Sequence, residues 1–510
     1  MKSVVAVLCL ILGQSAFAVH LNTWTIPDNG VAGVNNVNIT ASGVPAGTLT
    51  PADVMITFST TCGGAALATT SANSVKTILG STKRVNVSIP GTLAQNTYFV
   101  QISDSAGGDA NFTSANCSEV NVTHTNPTLS ACLPSSSMGV LAPTKPGPVE
   151  AYVPNGCWSG SCSSTGIQAV PLEGGGSPAS IATAHIVNSC SSNSASGETV
   201  CTANNTDVYL ITGTTLNTTL TSGSNGFASF SGGSCQNCGV AIDALSNKAY
   251  INMGFLGSSG DGVQSLDLNT NTFAPPQALV ARVSENISID PTRALVLSPS
   301  ESTGYDLLQI DSTTGGLTEF RNTSATGILG SLDSAAEDCT TGIGLSTDEF
   351  TTSLFITDLT QATFTPGSPG TWTAPGQFVN FPEFSSMGAG TSGISVAPGT
   401  SHLGIVAGEF GSNQIGVIQL PSTSGSGTPA FVDYAATFLA STFALGLDPH
   451  TLTAYTSPND GKAYGVLANS PAPSTLAVVD LACVLAAPRS SGHNVNPTVA
   501  ASCIRYVATH

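Results

Sequence analysis

The sequence predicts an all-β protein, and three observations support this prediction. Only 8% of the 510 residues are charged, while Gly, Ser, Thr and Asn abound, a composition that disfavours long surface helices and suits short strands joined by polar turns. Several runs of alternating apolar and polar residues lie in the first quarter of the chain. Further downstream, one strand–turn–strand pattern returns with a period of roughly 50 residues.

The chain begins with a segment that predicts export. Lys2 is followed by an apolar run, 4–12, and the small residues Ala16 and Ala18 stand at the positions that define a cleavage site. We therefore expect a signal peptide, 1–18, cleaved after Ala18, and a mature protein secreted to the extracellular space or the periplasm. No later stretch has the roughly 20 uninterrupted apolar residues of a membrane helix, so we expect no transmembrane segment.

The charge of the mature chain excludes one class of partner. Loss of the signal peptide removes one lysine and no acid, which leaves 11 basic and 30 acidic residues and a formal net charge of −19. Binding to nucleic acid depends on positive charge. We therefore expect no nucleic-acid partner.

The first unit of the mature chain, 19–126, has the pattern of a small β-sandwich. Five strand-like runs are predicted at 36–42, 53–59, 84–90, 97–103 and 119–124. The stretches "VNITASGVP", "VMITFSTTCGG" and "VNVSIPGTLAQNTYFVQISD" resemble the immunoglobulin-like domains of exported bacterial proteins, of the IPT/TIG kind. Cys62 and Cys117 are placed to form a disulfide within this unit. A segment rich in Pro, Ser and Gly, 127–147, is interpreted as a linker.

The remainder, 148–510, is interpreted as a repeat. An apolar strand that ends in Asp, as in 239–243, precedes a second strand, as in "KAYINM", and this order returns along the chain. The predicted second strands begin near residues 151, 200, 249, 294, 353, 402 and 453. This spacing fits four-stranded blades of a β-propeller, most simply seven, with six or eight as alternatives.

The repeats are similar to those of YVTN and NHL-type propellers. Asp290-Pro291 and Asp448-Pro449 match the start of that motif, and the stretch 249–252 matches its second strand. The resemblance implies a ring of blades whose first strands line a central channel. The strand-like stretch 503–507 would close the ring by completing the first blade, and a disulfide between Cys483 and Cys503 would hold it there.

The other cysteines also predict disulfides. Twelve cysteines remain once Cys9 is removed, and an even number in an exported chain indicates disulfide pairing. Short spacings suggest the pairs Cys157 with Cys162, Cys190 with Cys201 and Cys235 with Cys238. Cys238 has Cys339 as an alternative partner. Zinc at Cys235 and Cys238 would need a second pair of ligands, which the sequence does not offer nearby.

One group of acidic residues is a candidate cation site. In the predicted register, Glu285, Glu337, Asp338 and Glu383 lie in loops before the first strands of consecutive blades. Carboxylates that converge at a channel mouth would attract a hard cation such as calcium. The alternative is that they are solvated loop acids at unrelated positions. No other cofactor is implied.

The sequence favours binding over catalysis. G-x-S-x-G, H-E-x-x-H and Walker A motifs are absent, and His450, after Asp448-Pro449, is interpreted as part of an ordinary turn. The first hypothesis is an exported protein that binds an extracellular protein or glycan ligand. The second is a metal-dependent propeller hydrolase, lactonase-like, that uses the channel carboxylates. The third is a structural protein of a surface layer or matrix.

Overall fold

The structure is a computed structural model, and it divides into two compact units, Met1–His124 and Thr125–His510. The residues that it describes are 19–22, 24–31, 36–44, 50–79, 81–94, 96–104, 112–123, 138–142, 146–155, 164–194, 196–203, 207–228, 239–244, 246–253, 262–279, 286–300, 304–311, 314–322, 332–384, 390–409, 412–425, 427–446, 449–469 and 474–510.

In its described residues, the first unit has nine strands. They are β1 (His20–Leu21), β2 (Trp24–Val31), β3 (Asn36–Ser42), β4 (Val54–Ser59), β5 (Ala68–Ser71), β6 (Ser74–Leu79), β7 (Thr82–Ser88), β8 (Asn96–Asp104) and β9 (Ser118–Thr123). Their order is β5-β4-β8-β9-β2-β3-β7-β6, with β1 paired to β3. All five predicted runs form strands. The core consists of the apolar residues that alternate along them, such as Ile56, Val100 and Ile102, because side chains of a strand point alternately to its two faces.

The second unit contains sheets whose strands pair mainly antiparallel, and each of its first three sheets is formed by consecutive strands of the chain. Sheet 1 contains β10 (Gly139–Leu141), β11 (Val149–Pro154), β12 (Ile167–Glu173) and β13 (Ala179–Ile181). Sheet 2 contains β14 (Val187–Asn193), β15 (Glu198–Ala203), β16 (Asp207–Thr212) and β17 (Thr215–Thr221). Sheet 3 contains β18 (Val240–Asp243), β19 (Lys248–Met253), β20 (Gly262–Asp267), β21 (Thr272–Phe273) and β22 (Gln277–Ala278). Sheet 1 thus begins inside the segment interpreted as a linker.

The strands of sheets 4 and 5 are interleaved along the chain, because a hairpin of sheet 4 lies between the last two strands of sheet 5. The strands are β23 (Ser288–Asp290), β24 (Leu295–Ser300), β25 (Gly304–Ile310), β26 (Leu317–Asn322), β27 (Leu332–Asp338), β28 (Ile343–Asp348), β29 (Ser353–Asp358), β30 (Thr363–Thr365), β31 (Gly370–Thr373) and β32 (Gly376–Asn380). Sheet 4 is β23 to β26, and sheet 5 is β27, β28, β29 and β32. The β30–β31 hairpin extends the outer edge of sheet 4 through a parallel β26–β31 pair.

The strands of sheets 6 and 7 are interleaved in the same way, because a hairpin of sheet 6 lies between the last two strands of sheet 7. The strands are β33 (Thr391–Val396), β34 (Leu403–Gly408), β35 (Gln414–Gln419), β36 (Asp433–Phe438), β37 (Leu452–Thr456), β38 (Ala463–Ala468), β39 (Thr475–Asp480), β40 (Arg489–Ser491), β41 (Asn494–Val495) and β42 (Ile504–Ala508). Sheet 6 is β33 to β36 extended by β41 and β40, and sheet 7 is β37, β38, β39 and β42. The helices α1 (Leu481–Ala486) and α2 (Pro497–Ala500) lie between β39 and β42. Neither is long enough to cross a membrane, nor is any other helix in the described part of the chain.

The sheets of the second unit form a propeller-like succession. The first strand of each sheet contacts the first strand of the next, and β10 of sheet 1 contacts β37 of sheet 7. A separate apolar cluster lies between each pair of neighbouring sheets, including sheets 7 and 1. Each sheet therefore buries both faces against its neighbours, which explains why strands such as β14, β15 and β24 are buried at every position.

Polar contacts reinforce the junction of sheets 7 and 1. Glu173, the last residue of β12, accepts hydrogen bonds from Tyr455 Oη (2.7 Å) and Ser457 Oγ (2.7 Å). Asn459 Nδ2 donates a third bond to the same carboxylate at 2.6 Å. Because nearly 300 residues separate the partners, these bonds join the two ends of the succession of sheets directly.

The register predicted for two repeats is wrong. In sheet 5 the predicted first strand, 342–345, belongs to β28, the second strand, and the true first strand is β27. The sequence of β27, LDSAAED, has little apolar alternation, so it gave no strand signal. In sheet 7 the predicted second strand, 453–455, belongs to β37, the first strand.

The predicted role of the C-terminal strand is also wrong in part. β42 pairs with β39 and completes sheet 7, not the first blade. The disulfide between Cys483 and Cys503 is present, and it links α1 to the residue before β42. The disulfide therefore holds the last strand within its own sheet.

The disulfide predictions are confirmed where the structure describes the residues. Cys62 is bonded to Cys117 and Cys190 to Cys201, the latter pair directly opposite each other on β14 and β15. Cys339 is also disulfide-bonded. The predictions for the remaining cysteines, Cys157, Cys162, Cys235 and Cys238, lie outside the described residues.

A recurring turn links the first and second strands. In sheets 4 and 5 the Asp that ends the first strand accepts hydrogen bonds from backbone N–H groups of the turn, as Asp290 does from Arg293 (2.9 Å) and Asp338 does from Thr340 (3.1 Å). The residue just before the second strand then has a positive φ. In sheets 2 to 6 these residues are Gly197 (69°), Asn247 (53°), Ala294 (55°), Gly342 (76°) and His402 (54°). The same kind of turn, closed by Asn271, follows Asp267 at the end of β20.

This turn predicts opposite effects of two substitutions at equivalent positions. Ala294→Gly should raise the free energy of unfolding by about 1 kcal/mol, because Gly adopts a positive φ without the steric cost that Ala meets. Gly342→Ala should lower it by more than that, since an added Cβ would also collide with the guanidinium group of Arg293. Calorimetric melting of both variants tests this. A change of the same sign in both would contradict it.

Candidate functional site

The first strands of four neighbouring sheets begin around one buried imidazole, that of His450. Asn286 Nδ2 donates to Nδ1 of His450 at 3.2 Å, and Ser334 Oγ lies 3.1 Å from the same nitrogen. Ser392 Oγ and Asp333 Oδ2 each lie 3.3 Å from Nε2. All five side chains are buried. We call this set the His450 network.

The hydrogen bonds define the state of the imidazole. Because Nδ1 accepts from the Asn286 amide, a neutral ring carries its hydrogen on Nε2, which faces the Asp333 carboxylate. Serine, histidine and aspartate together are also the residue types of nucleophilic catalysis. Here both serines are fully buried, so their hydroxyl groups are shielded from any external substrate. The arrangement fits a polar junction that joins sheets 4, 5, 6 and 7.

Sequence reasoning missed this network. His450 was interpreted as part of an ordinary turn, and its partners lie up to 164 residues away. A serine or an asparagine near a strand start is common in this chain and has no local pattern. Only the ring arrangement of the sheets brings these residues together.

Of the four residues predicted to hold a cation, two lie at the end of β27. Glu337 and Asp338 are its last residues, because β27 and not β28 is the first strand. They therefore lie at the opposite end of this strand from Asp333 and Ser334. Glu285 lies outside the described residues.

Glu337 and Asp338 have different surroundings. Both carboxylate oxygens of Glu337 are shielded from solvent without a hydrogen-bond partner. Burial, and next the Asp290 carboxylate, raise the pKa of Glu337 well above its usual value, against the opposing effect of Arg293. Asp338 Oδ2 lies 2.6 Å from Nδ1 of His402 in sheet 6. Asp338 therefore has a structural partner across the sheet junction.

Glu383 lies apart from the other two. It follows β32, the fourth strand of sheet 5, and accepts hydrogen bonds from Tyr434 Oη (3.1 Å) and from the backbone N–H of His493 (3.2 Å). Among the residues that the structure describes, no three His, Cys, Asp or Glu side chains are grouped so that they could hold a metal ion. The calcium site, which includes Glu285, stays a prediction.

An exposed aromatic side chain lies at the same end of sheet 5 as the His450 network. Phe350 is in the β28–β29 turn and is 70% exposed, more than any other large apolar side chain in the described ranges. Asp348, just before this turn, is opposite Leu332 at the start of β27. The ring of Phe350 is therefore presented to solvent on the side where the first strands begin.

The turn that carries Phe350 is held by several hydrogen bonds. Asp348 Oδ1 accepts from the N–H groups of Phe350 and Thr351, each at 3.1 Å. Burial raises the pKa of Asp348, and these bonds oppose the rise. From sheet 6, Thr391 Oγ1 contacts the backbone of Asp348 and donates to the carbonyl oxygen of Ser353 at 2.8 Å. The turn is thus fixed at both ends.

Two more acidic residues lie beside this turn. A Cβ added to Gly390 would collide with the carbonyl oxygen of Glu349 and would lie 2.9 Å from Oε2 of Glu409. The close packing of Gly390 brings the Glu409 carboxylate next to the backbone of the Phe350 turn. This end of sheets 5 and 6 therefore combines an exposed phenyl ring with Asp348, Glu349 and Glu409.

Comparisons with known proteins add remote similarities. No family model matches the chain, and no curated protein matches it. A putative 6-phosphogluconolactonase from Bacteroides fragilis is 13% identical with a TM-score of 0.44, over 70% of this chain and 97% of that one. A functionally unknown protein from Desulfotomaculum acetoxidans is 15% identical with a TM-score of 0.41, over 73% of this chain and 99% of that one. Similarities this remote carry no argument about function.

Proposed function

We propose that this chain is an exported binding protein whose propeller presents a recognition face at sheets 5 and 6. The observation that carries the proposal is Phe350, a large aromatic side chain that is 70% exposed on a turn fixed by hydrogen bonds. Exposed aromatic anchors on rigid elements are typical of binding hot spots. A fixed turn also lowers the entropy cost of binding.

The proposal also specifies the number of blades and the type of each domain. The second unit is a seven-bladed propeller of the YVTN/NHL type, 148–510 with β10 added, and the first unit, 19–126, is an immunoglobulin-like domain of the IPT/TIG kind that acts as a spacer. Support comes from the contacts between consecutive first strands and between β10 and β37. The His450 network supports the same reading, because a junction that joins four sheets would keep the face rigid.

Export after cleavage at Ala18 is part of the same proposal. The three disulfides at described cysteines require an oxidising compartment to form and persist. An extracellular or periplasmic location meets this requirement.

The test compares two exposed apolar residues that lie at opposite ends of the neighbouring sheets 5 and 6. Phe350→Ala removes the proposed anchor, while Val432→Ala removes a side chain that is 62% exposed just before β36, at the other end. The oxidised mature protein and both variants are applied to glycan and peptide arrays. We expect a ligand whose affinity falls at least about tenfold in Phe350→Ala and is unchanged in Val432→Ala. Equal binding by all three proteins, or equal loss in both variants, would overturn the proposal.

A further inference from the structure

Sheets 4 and 6 are each extended at the outer edge by a hairpin, and the two hairpins are held differently. At sheet 4, β31 pairs with β26 at three positions. The indole of Trp372 in β31 is buried, and its Nε1 donates to the carbonyl oxygen of Tyr305 at 3.1 Å. Phe364 of β30 packs on Phe320 of β26 with ring centroids 5.0 Å apart. Apolar packing therefore holds the β30–β31 hairpin.

The β40–β41 hairpin at sheet 6 has fewer such contacts. β41 pairs with β36 at a single position, Ala436, whose backbone N–H donates to the carbonyl oxygen of His493 at 2.9 Å. At the base of the hairpin, Ala487 and Val495 are buried in the apolar cluster between sheets 6 and 7. Between these two residues, at 488–494, no residue is buried. We call the stretch 488–494 the strap.

Polar and charged contacts hold the strap on sheet 6. Nη2 of Arg489 donates to Oδ2 of Asp433 (3.0 Å) and to the carbonyl oxygen of Tyr434 (3.1 Å). The ring of His493 stacks on that of Tyr434 with centroids 3.7 Å apart, and its Nδ1 donates to the same carbonyl oxygen at 2.9 Å. The backbone N–H of His493 donates to Oε1 of Glu383 at 3.2 Å.

These contacts are accessible to water, which limits their strength. The side chains of Arg489, Asp433 and His493 are 25%, 42% and 41% exposed, and ion pairs at such positions contribute little to stability and are screened by salt. Nη1 of Arg489 is shielded from solvent without a hydrogen-bond partner, a cost that opening would relieve. A segment held in this way opens locally more easily than the sheet beneath it.

The disulfide between Cys483 and Cys503 limits how far such an opening can spread. It joins the chain before the strap to the chain after it, so the strap can leave sheet 6 while β39 and β42 keep their places. We propose that the strap opens locally, in a salt-dependent way, while sheet 6 stays folded. Because unpaired strand edges pair readily with other strands, the strap controls access to the outer edge of β36.

Amide hydrogen exchange with residue resolution tests this proposal. The reporter is the amide of Ala436, which is bonded to the strap. The amides of Ala435 and Thr437 point to β35, because successive N–H groups of a strand point to opposite edges. In the oxidised mature protein we expect Ala436 to exchange at least about tenfold faster than these two neighbours. Its exchange should become about twofold faster when the salt is raised from about 0.02 to about 0.3 M.

Two variants test the contacts themselves. Arg489→Gln removes the ion pair and His493→Ala removes the stacked ring, and each should speed exchange at Ala436 at least about threefold without a change at its two neighbours. The salt dependence should be lost in Arg489→Gln. Lys462→Gln is the matched control, since it breaks an ion pair with Asp480 in sheet 7 (2.7 Å) and should change nothing at Ala436.

Two results would overturn the proposal. If Ala436 exchanges as slowly as its two neighbours, the strap opens only when sheet 6 unfolds. If neither salt nor the two variants change exchange at Ala436, the polar and charged contacts do not hold the strap. Faster exchange at all three amides in the variants would also contradict it, because the whole sheet would then be opening.

Discussion

His450→Ala should lower the free energy of unfolding of the second unit by about 3 kcal/mol or more. The substitution removes contacts from both ring nitrogens to four buried side chains, Asn286, Asp333, Ser334 and Ser392, and buried polar groups that lose their partners are costly. It also leaves a cavity where four sheets meet. Calorimetry of the whole chain should show the melting transition of this unit reduced by several degrees.

Two further variants make this result interpretable. His450→Gln keeps one donor and one acceptor, so it should recover part of the loss. His510→Ala removes an exposed histidine of the same unit and should melt like the original protein. If His450→Ala also melts like the original, the His450 network does not hold the sheets together, and its contacts are incidental.

The second large effect should be on the pH dependence of the free energy of unfolding. We expect the second unit to lose part of this dependence in Asp306→Asn. Asp306 is buried in β25, and burial, then the neighbouring carboxylate of Glu319, raise its pKa from 3.8 to about 8. Between these values the folded protein holds a proton that the unfolded chain has lost. The free energy of unfolding should therefore fall as the pH rises through this window, by at most about 1.4 kcal/mol per pH unit.

Asparagine has no proton to lose, so the variant should lack this contribution. Melting temperatures of the second unit, measured across the window, test the prediction. Asp460→Asn is a control of opposite sign. Hydrogen bonds from Lys462 and Tyr464 and the Lys462 charge outweigh the effect of burial and lower the pKa of Asp460. The small contribution of Asp460 to the free energy of unfolding is therefore present at neutral pH and is lost as the pH falls. If Asp306→Asn and the original protein show the same pH dependence, Asp306 does not hold the extra proton.

Much of the local structure could be predicted from the sequence. Alternation of apolar and polar residues identified strands such as β3, β4 and β8, because one face of each packs on a core and the side-chain period of a strand is two. The Asp that ends a first strand, as in Asp290, identified the recurring turn, because its side chain pairs with the N–H groups of that turn. These signals depend on residues a few positions apart.

The same signals failed at β27, which is buried on both faces and is rich in polar residues. β27 is buried at six of its seven positions but contains Asp333, Ser334 and Asp338, which contact groups of other sheets, and Glu337, whose carboxylate oxygens are shielded from solvent without a hydrogen-bond partner. Its sequence therefore looks like a loop, and the register of the fifth repeat was displaced by one strand. That displacement also put Glu337 and Asp338 at the wrong end of their strand.

The sequence by itself determined the all-β class, the repeat, and the three disulfides whose cysteines the structure describes. Only the tertiary structure decided that β42 completes sheet 7, that Glu173 joins the first and last sheets, that His450 lies at a junction of four sheets, and that Phe350 remains exposed. The physical reason is distance along the chain. Strands and turns are specified by neighbouring residues, whereas these contacts join residues up to 286 positions apart and exist only once the sheets have packed against one another.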